Sequence, residues 1–327
     1  MASLNWGIIG VGDVTEKKSG PAFNKVTGSK LVAVMRRDAE KAADYAQRHG
    51  VGKWFSNAAD LFNDTEVNAI YIATPPSSHL EYALTALKKG LPVYVEKPVT
   101  LNAAQAEELA NAVQKHNGKL VVAHYRRQLP MFLKVKELLQ QQAIGEVRTV
   151  QLRLWQSRKP ALVTTGAPNW RVQPELSGGG YFHDLAPHQL DLMLYFFGNP
   201  AYYQGFGFNQ TQTNQADDHV CGSILFENNV VVNGSWCFSV AETENVDSCE
   251  MIGSEGKISF PIFGNTVTLK TAEDEQVIDF VPPENIQHPM IAAVVSYLNG
   301  EGPNPCTIDE ALTLMKIMDA FSSKPSK

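Results

Sequence analysis

A Glu96-Lys97-Pro98 tripeptide follows directly on the apolar strand pattern of residues 92–95. In an open parallel sheet, ligands bind just beyond the carboxyl ends of the strands. A lysine at that position is therefore aimed at a cofactor and its substrate, and the following proline stiffens the segment because its ring fixes φ. The alternative for Lys97 is a surface ion pair with Glu96 or Glu107.

A second group of residues that could do chemistry follows the Ser-Gly-Gly-Gly run at 177–180. Asp184 and His188 are four residues apart, so they share one face of a helix. Proline is tolerated in the first turn of a helix but not further in, so Pro187 predicts that this helix begins just before it. The alternative is structural, with Asp184 as a helix N-cap and His188 as a half-buried, hydrogen-bonded imidazole.

Metal binding by His183, Asp184 and His188 is a third possibility for this segment. Zinc requires three or four converging ligands. Side chains five residues apart on a helix, such as those of His183 and His188, diverge. We therefore expect no metal site here.

A Gly10-x-Gly12-x-x-Thr15 turn follows the first apolar strand pattern. It keeps two glycines of the dinucleotide-binding fingerprint, the one that makes the tight turn and the one that lets the backbone approach a pyrophosphate. Thr15 replaces the third glycine, so helix and strand pack less closely. The predicted cofactor-binding residues of this turn are Gly10, Gly12, Asp13 and Val14.

Arg36 and Arg37 end the second strand pattern, where dinucleotide-binding proteins place the residue that reads the ribose. An acid there favours NAD, whereas guanidinium groups bind the 2′-phosphate of NADP. The first acid, Asp38, comes later, so we predict NADP as the preferred cofactor, with NAD possible. The alternative is that both arginines are solvated charges at a helix start.

Up to about residue 125, short apolar strand patterns alternate with amphipathic helix patterns, which is typical of a parallel sheet covered on both faces. The strand patterns lie at 6–9, 31–34, 69–73, 92–95 and 120–123, and the helix patterns at 38–49, 78–89 and 102–116. The fold class predicted for residues 1–124 is therefore an α/β Rossmann domain with a doubly wound parallel sheet.

After about residue 145 the pattern changes to period two, the sign of a sheet with unlike faces. The alternating stretches lie at 148–155, 218–226, 229–240, 247–252, 257–260, 265–271 and 276–281. Thr307 and Glu310 form a capping box for a last helix. We predict that residues 125–327 form an α+β substrate-binding domain with a large, mostly antiparallel open sheet.

The composition is that of an ordinary globular protein, with 327 residues, 44% of them hydrophobic and 19% charged. The net charge of −6 argues against a nucleic-acid or anionic-membrane partner, which requires a basic surface. No apolar run approaches the roughly 20 residues that span a bilayer, and no signal peptide precedes the first strand, so we expect a cytoplasmic protein. The four cysteines lack C-x-x-C spacing and are expected to be buried free thiols.

Together these features resemble the glucose–fructose oxidoreductase/inositol dehydrogenase (Gfo/Idh/MocA) family along essentially the whole chain. The resemblance is carried by the Gly10/Gly12 turn, Ala73-Thr74-Pro75-Pro76 with His79, Glu96-Lys97-Pro98, Trp170-Arg171, residues 178–191 and His288-Pro289. It implies an NAD(P)-dependent oxidoreductase acting on a secondary alcohol or ketone of a sugar, polyol or related cyclic substrate. It also implies a homodimer or homotetramer. The alternative is a non-catalytic dinucleotide-binding regulator on the same fold.

The resemblance assigns roles to particular residues. Lys97 contacts the reacting oxygen, where its charge stabilises developing negative charge. Asp184 orients substrate hydroxyls, and His188 is the acid/base, since imidazole titrates near neutrality. Tyr125 completes the substrate-binding set. The cofactor-binding roles fall on Thr74, Pro75, His79, Glu96, Lys97, Trp170 and Arg171.

Three positions depart from the family pattern. Ala186-Pro187 replaces the usual Gly-x before the histidine, and Tyr125 stands where the family often has asparagine. The acid that reads the ribose is absent, which is the reason for expecting NADP.

Overall fold

The computed structural model describes residues 3–158, 160, 162 and 169–322. The strands are β1 Leu4–Ile9, β2 Ser29–Met35, β3 Lys53–Phe55, β4 Ala69–Ile72, β5 Val93–Val95, β6 Leu120–Val122, β7 Val147–Trp155, β8 Pro200–Phe208, β9 His219–Phe226, β10 Val231–Cys237, β11 Val246–Gly253, β12 Gly256–Phe260, β13 Thr266–Thr271 and β14 Glu275–Asp279. The α-helices are α1 Asp13–Lys17, α2 Ala39–His49, α3 Ala58–Phe62, α4 His79–Lys88, α5 Ala103–Lys115, α6 Pro130–Gln140, α7 Pro174–Ser177, α8 Tyr181–Phe197, α9 His288–Leu298 and α10 Ile308–Phe321. Short 3₁₀-helices occupy Gly20–Lys25, Pro76–Ser78, Tyr125–Gln128, Trp170–Val172 and Glu242–Glu244.

The first six strands form one parallel sheet in the order β3-β2-β1-β4-β5-β6. This is the strand order of the dinucleotide-binding fold, which binds its ligand where the order reverses, between β1 and β4. Every residue of β4, β5 and β6 is buried. Burial on both faces explains their continuous apolar patterns and confirms the predicted doubly wound parallel sheet.

Capping residues fix the ends of the helices in this part of the chain. The Asp38 side chain accepts a hydrogen bond from the Lys41 amide at 3.1 Å, and Gly50, with φ of 64°, ends α2. Asn102 caps α5 in the same way. The sequence patterns miss β3 and α3, because a partly exposed strand of three residues and a helix of five show no clear period.

The other eight strands form a second sheet in the order β14-β13-β12-β11-β7-β10-β9-β8. Strands β7 and β10 pair in parallel, and the other neighbouring pairs are antiparallel. In β7, Val150, Leu152 and Leu154 are buried and alternate with partly exposed residues. The prediction of a large, mostly antiparallel sheet is therefore confirmed.

A row of glycines crosses three strands of the second sheet. Gly205 of β8 lies opposite Gly222 of β9, which lies opposite Gly234 of β10. A Cβ at Gly222 would collide with the ring of Phe321, the last residue of α10, and one at Gly234 would collide with the ring of Trp236. The row makes room for these rings. The row also interrupts the alternating pattern of β8. The sequence patterns therefore miss this strand.

Contacts between Cα atoms divide the chain into two compact units. The first contains the residues up to Gln128 together with Pro283–Leu312, and the second contains Leu129–Pro282 and the chain from Thr313. The segment that begins at Pro283 contributes α9 to the first unit, where the Gln287 amide donates to the Lys18 carbonyl at 3.1 Å. The division at 124/125 remains a prediction about the domains.

Within the described residues, no helix combines the length and the hydrophobicity that a membrane-spanning helix requires.

Candidate functional site

The turn after β1 has the geometry that a dinucleotide requires. Gly10 has a φ of 99°, a left-handed conformation that favours glycine. A Cβ at Gly10 would also lie 2.6 Å from Cγ2 of Thr74. Apart from Gly12 itself and its chain neighbours, no atom of the described residues lies within 4 Å of the position that a Cβ would take there. The open space beside Gly12 fits the close approach of backbone to a pyrophosphate.

Thr15 closes this turn rather than loosening it. Its Oγ1 accepts from the Gly12 amide at 2.9 Å and donates to the Gly12 carbonyl at 2.8 Å. A tight contact arises instead at Gly20, where a Cβ would collide with the Thr15 carbonyl. Asp13 is exposed and Val14 is half-buried in the first turn of α1.

Arg36 lies against the same turn, at the end of β2. It is half-buried, and its Nη1 donates to the Val11 carbonyl at 2.9 Å, whereas Arg37 is exposed. Asp38 accepts the amide hydrogen bond of Lys41 and pairs with the Lys41 ammonium at 3.1 Å. These interactions, the amide hydrogen bond first, lower the pKa of Asp38. The first carboxylate after β2 thus caps α2, and Arg36 is the charge that the structure brings to the glycine turn.

His79 joins the loop after β4 to the loop after β5. The ring is fully buried, with Nε2 2.8 Å from the Thr74 carbonyl oxygen and Nδ1 3.0 Å from that of Pro98. Burial lowers the pKa of His79. Thr74 and Pro75 are half-buried, and Thr74 Oγ1 accepts from the Ser78 hydroxyl at 2.8 Å. The two contacts of His79 thus hold the loop after β4 and the loop after β5 together.

Glu96 is buried at the end of β5 and accepts three hydrogen bonds. The Tyr71 hydroxyl donates to Oε1 at 2.6 Å, Gln287 Nε2 donates to Oε1 at 2.7 Å, and the Lys97 amide donates to Oε2 at 3.2 Å. Burial, and next the charge of Glu96, raise the pKa of Tyr71 well above its usual value, so Tyr71 remains a donor. These bonds fix the backbone that carries Lys97.

Lys97 and Tyr125 follow neighbouring strands of the parallel sheet. Lys97 comes two residues after β5, is half-buried, and precedes Pro98 through a cis peptide bond. Tyr125 begins the 3₁₀-helix after β6 and is 6% exposed. Because the strands are parallel, both residues lie at the sheet edge that also carries the glycine turn, Arg36 and Thr74.

Helix α8 carries the second set of predicted residues, and it begins earlier than Pro187 predicts. Its N-cap is Gly180 and Pro187 lies inside it, so the prediction of a helix start just before Pro187 is wrong, as is the alternative with Asp184 as N-cap. Proline cannot donate to the carbonyl four residues earlier. Burial of 14 of the 17 helix residues, including Pro187, offsets that lost bond.

Asp184 is paired with Arg171. Nε of Arg171 donates to Oδ2 of Asp184 at 2.9 Å, and both side chains are largely buried. The Arg171 guanidinium also lies 4.5 Å from the centre of the Trp170 ring. Nδ2 of Asn169 donates to the Tyr181 hydroxyl at 2.9 Å, which ties this segment to the start of α8. Trp170, Arg171 and Asp184 therefore form one cluster within the second unit.

His188 follows one turn later on α8 and is 6% exposed. Its ring packs edge-on against Phe263, with 5.6 Å between the ring centres and an angle of 85° between the ring planes. His183, on the first turn, is also buried, and burial lowers its pKa to about 4. His183 is therefore neutral at neutral pH.

Two family profiles match the chain. The profile of the Gfo/Idh/MocA oxidoreductase family with an NAD-binding Rossmann fold matches residues 4–124, and that of a Gfo/Idh/MocA C-terminal domain matches residues 132–259. The chain belongs to the Gfo/Idh/MocA family. The predictions of an oxidoreductase and of an NAD(P)-binding Rossmann domain are confirmed.

Relatives in this family match nearly the whole chain. An oxidoreductase of Formosa agariphila is 46% identical over 318 residues, which cover 97% of this chain and 98% of the relative. A 1,5-anhydro-D-fructose reductase of Ensifer adhaerens is 25% identical, with 94% and 92% covered. The structure of a levoglucosan dehydrogenase in complex with NADH and levoglucosan superposes with a TM-score of 0.84 at 20% identity, covering 98% of this chain and 96% of that one. The last similarity concerns the fold.

Three residues near the Gfo/Idh/MocA motifs escape the sequence patterns. Gln287 binds Glu96 from 191 positions away along the chain. Phe263 lies in the turn that contacts His188, and Asp247 lies beside that turn. No local pattern marks them, although Asp247 is a charge on the face of β11 where Cys249 and Met251 are buried.

Proposed function

We propose that this protein is an NADP-preferring oxidoreductase that acts on a secondary alcohol or ketone of a sugar, polyol or related cyclic hydroxylated substrate. The observation that carries the proposal is the position of Lys97. It follows β5 at the carboxyl edge of the parallel sheet, beside a buried Glu96 that fixes its backbone. The same edge carries the Gly10–Gly12 turn.

The dinucleotide supplies or accepts the hydride when it is bound. The open side of Gly12 and the half-buried Arg36 support a site for its phosphates, since guanidinium groups bind phosphate bidentately. Thr74, Pro75 and Trp170 remain proposed cofactor contacts, together with the other cofactor-binding residues that the family resemblance implies.

The chain's own polar groups supply the proton chemistry of the proposal. Lys97 binds the reacting oxygen through its ammonium group and stabilises negative charge that develops there. His188 removes the hydroxyl proton during oxidation and returns it during reduction. Asp184 orients substrate hydroxyls, and Arg171 holds its carboxylate at 2.9 Å. Tyr125 is proposed as a further substrate contact.

The proposed substrate class rests on chemistry and on the relatives. One relative is a 1,5-anhydro-D-fructose reductase, which fits a hydroxylated ring as substrate.

The rival proposal is a non-catalytic dinucleotide-binding regulator. Lys97 and His188 argue against it, because a regulator needs neither a charge-stabilising lysine nor an acid/base.

The proposal is tested by NADP and NAD reduction across a panel of sugars and inositols, with reverse assays on keto-sugars. We expect turnover with at least one member of the panel. Lys97→Ala should abolish turnover while the variant still shifts NADPH fluorescence. Cofactor binding by the wild type without any turnover would favour the regulator, and full activity in Lys97→Ala would contradict the role of the lysine. Activity that persists after exhaustive chelation would exclude a metal-dependent mechanism.

The proposed preference for NADP has its own test. Arg36→Ala should raise the KM for NADP by about 10-fold or more, because a charge-assisted contact to phosphate contributes about 1.5–3 kcal/mol. The KM for NAD should stay within about twofold, since NAD lacks the 2′-phosphate. Equal effects on both cofactors would show that Arg36 only shapes the turn through Val11.

A homodimer or homotetramer is also part of the proposal. The face of the second sheet opposite α8 exposes large apolar side chains, namely Tyr202, Phe206, Leu225, Val231, Ile252 and Val277. A patch of this kind is typical of an interaction surface.

We further propose a cytoplasmic location, which the four free cysteines support because such thiols persist in reducing compartments. Cell fractionation tests the location.

A further inference from the structure

The turn between β12 and β13 brings an aromatic ring onto the proposed acid/base. Phe263 of this turn is half-exposed and meets the buried His188 at an interplanar angle of 85°. The 5.6 Å between the ring centres falls within the range of favourable edge-to-face pairs, about 4.5–7 Å. The contact therefore favours one orientation of the imidazole, whose χ2 torsion is otherwise broad.

Asp247 of β11 holds this turn in place. Its Oδ1 accepts from the Ile262 amide at 3.0 Å and its Oδ2 accepts from the Phe263 amide at 2.7 Å. Hydrogen bonds to an ionised carboxylate are among the stronger ones in proteins. Gly264 completes the turn, where a Cβ would collide with the Pro261 ring. The position of Phe263 is thus set by a carboxylate on a strand of the sheet.

We propose that Phe263 is a positioning residue for His188 and that Asp247 acts through it. This inference rests on the proposed function, in which His188 exchanges a proton with the substrate. A general base works only within hydrogen-bond reach of the proton that it transfers. By restricting the orientation of the imidazole, Phe263 keeps the proton-accepting ring nitrogen of His188 aimed at the substrate. Loss of the Phe263 ring should therefore slow the proton-transfer step.

The test compares Phe263→Leu, which keeps an apolar side chain but loses the ring, with Phe263→Tyr, which keeps the ring. We expect Phe263→Leu to lower kcat by about 10- to 100-fold, the cost of a misplaced catalytic group, with KM within about twofold. Phe263→Tyr should restore most of kcat, and Asp247→Asn should lower kcat in the same direction as Phe263→Leu. Circular dichroism establishes that each variant is folded.

Phe280→Leu is the matched control, because Phe280 is a half-exposed phenylalanine whose amide donates to Asn265 of the same turn at 2.8 Å. It should leave kcat unchanged. An unchanged kcat in Phe263→Leu, or a fall that Phe263→Tyr does not restore, would overturn the inference.

A spectroscopic readout separates this inference from the proposed function. With histidine labelled with ¹³C at Cε1, the His188 signal is assigned by its loss in His188→Gln. Removal of the neighbouring ring in Phe263→Leu should move this signal, and Phe280→Leu should not. If the wild type turns over no substrate, the proposed function fails. If the chemical shift of the His188 signal is the same in Phe263→Leu and in the wild type, the positioning role fails, whatever the outcome for the proposed function.

Discussion

Glu96 shows how a buried charge is accommodated beside a reactive lysine. A carboxylate out of water is costly unless hydrogen bonds replace its hydration. Tyr71, Gln287 and the Lys97 amide supply three such bonds, at 2.6, 2.7 and 3.2 Å. The arrangement gives Glu96 a structural role, which is to fix the chain at Lys97. Contact between Glu96 and the cofactor remains a proposal.

His183 makes the stability of the protein depend on pH. Burial lowers its pKa from 6.5 to about 4, so between these values the unfolded chain binds a proton that the folded chain does not. The stabilisation is complete above pH 6.5 and is lost as the pH falls towards 4, with a slope of up to about 1.4 kcal/mol per pH unit. We expect His183→Gln to flatten this slope in urea unfolding measured from pH 7 to pH 4.5.

The control for this prediction is His116→Gln, since His116 is exposed at the end of α5. This variant should keep the slope of the wild type. The same slope in His183→Gln and in the wild type would contradict the prediction.

Helix α8 joins Asp184 and His188, two of the three predicted catalytic residues, to a glycine run. Gly178 and Gly180 have φ of 92° and 80°, which favour glycine, and they turn the chain into the helix. Gly179 is needed for a different reason, because a Cβ there would collide with the ring of His183. The start of α8 is thus packed against the loop that precedes it.

Gly179→Ala should therefore disturb the helix that carries Asp184 and His188. Overpacking of this kind typically costs about 1–3 kcal/mol, and we expect that loss in the free energy of unfolding together with a lower kcat. Gly52→Ala is the control, because in the described part of the chain only Gly52 itself and its chain neighbours have atoms within 4 Å of a Cβ at that position. Its effect should stay within about 0.5 kcal/mol. Equal effects of the two substitutions would contradict the prediction.

At the scale of the whole molecule, the second sheet has one covered and one open face. The covered face receives Trp236 and Phe321 over the glycine row. On the open face, Tyr202 lies opposite Leu225, which lies opposite Val231, so their apolar side chains form a continuous row. A second copy of the chain would bury this row, which is the basis of the proposed oligomer.

Phe206→Glu should weaken that assembly. Phe206 is 44% exposed on β8, and burying a carboxylate without a partner is unfavourable. We expect light scattering coupled to gel filtration to give a mass close to the 36.0 kDa of one chain for the variant and a multiple of it for the wild type. Trp54→Glu is the control, because Trp54 is 46% exposed on β3 of the first unit. A monomeric wild type, or an unchanged mass in Phe206→Glu, would contradict the proposal.

Local patterns in the sequence were enough to predict most of the first unit. Strand periods, helix periods and the glycine turn depend on residues close together in the chain. Strands β3 and β8 escaped, because one is short and partly exposed and the other alternates aromatic side chains with glycines. The start of α8 was predicted wrongly from Pro187, because a local rule about proline ignores the burial of the helix around it.

Local sequence patterns are sufficient to assign each reactive residue to the strand that it follows, and hence to place Lys97 and the Gly10 turn at one edge of a parallel sheet. The partners that hold those residues became visible only in the folded chain. Gln287 reaches Glu96 from the far end of the chain, Arg171 pairs with Asp184, and Asp247 sets the ring that packs on His188. The reason is physical: a strand or turn is selected by neighbouring residues, whereas a buried charge is satisfied by whichever partner the folded chain brings to it.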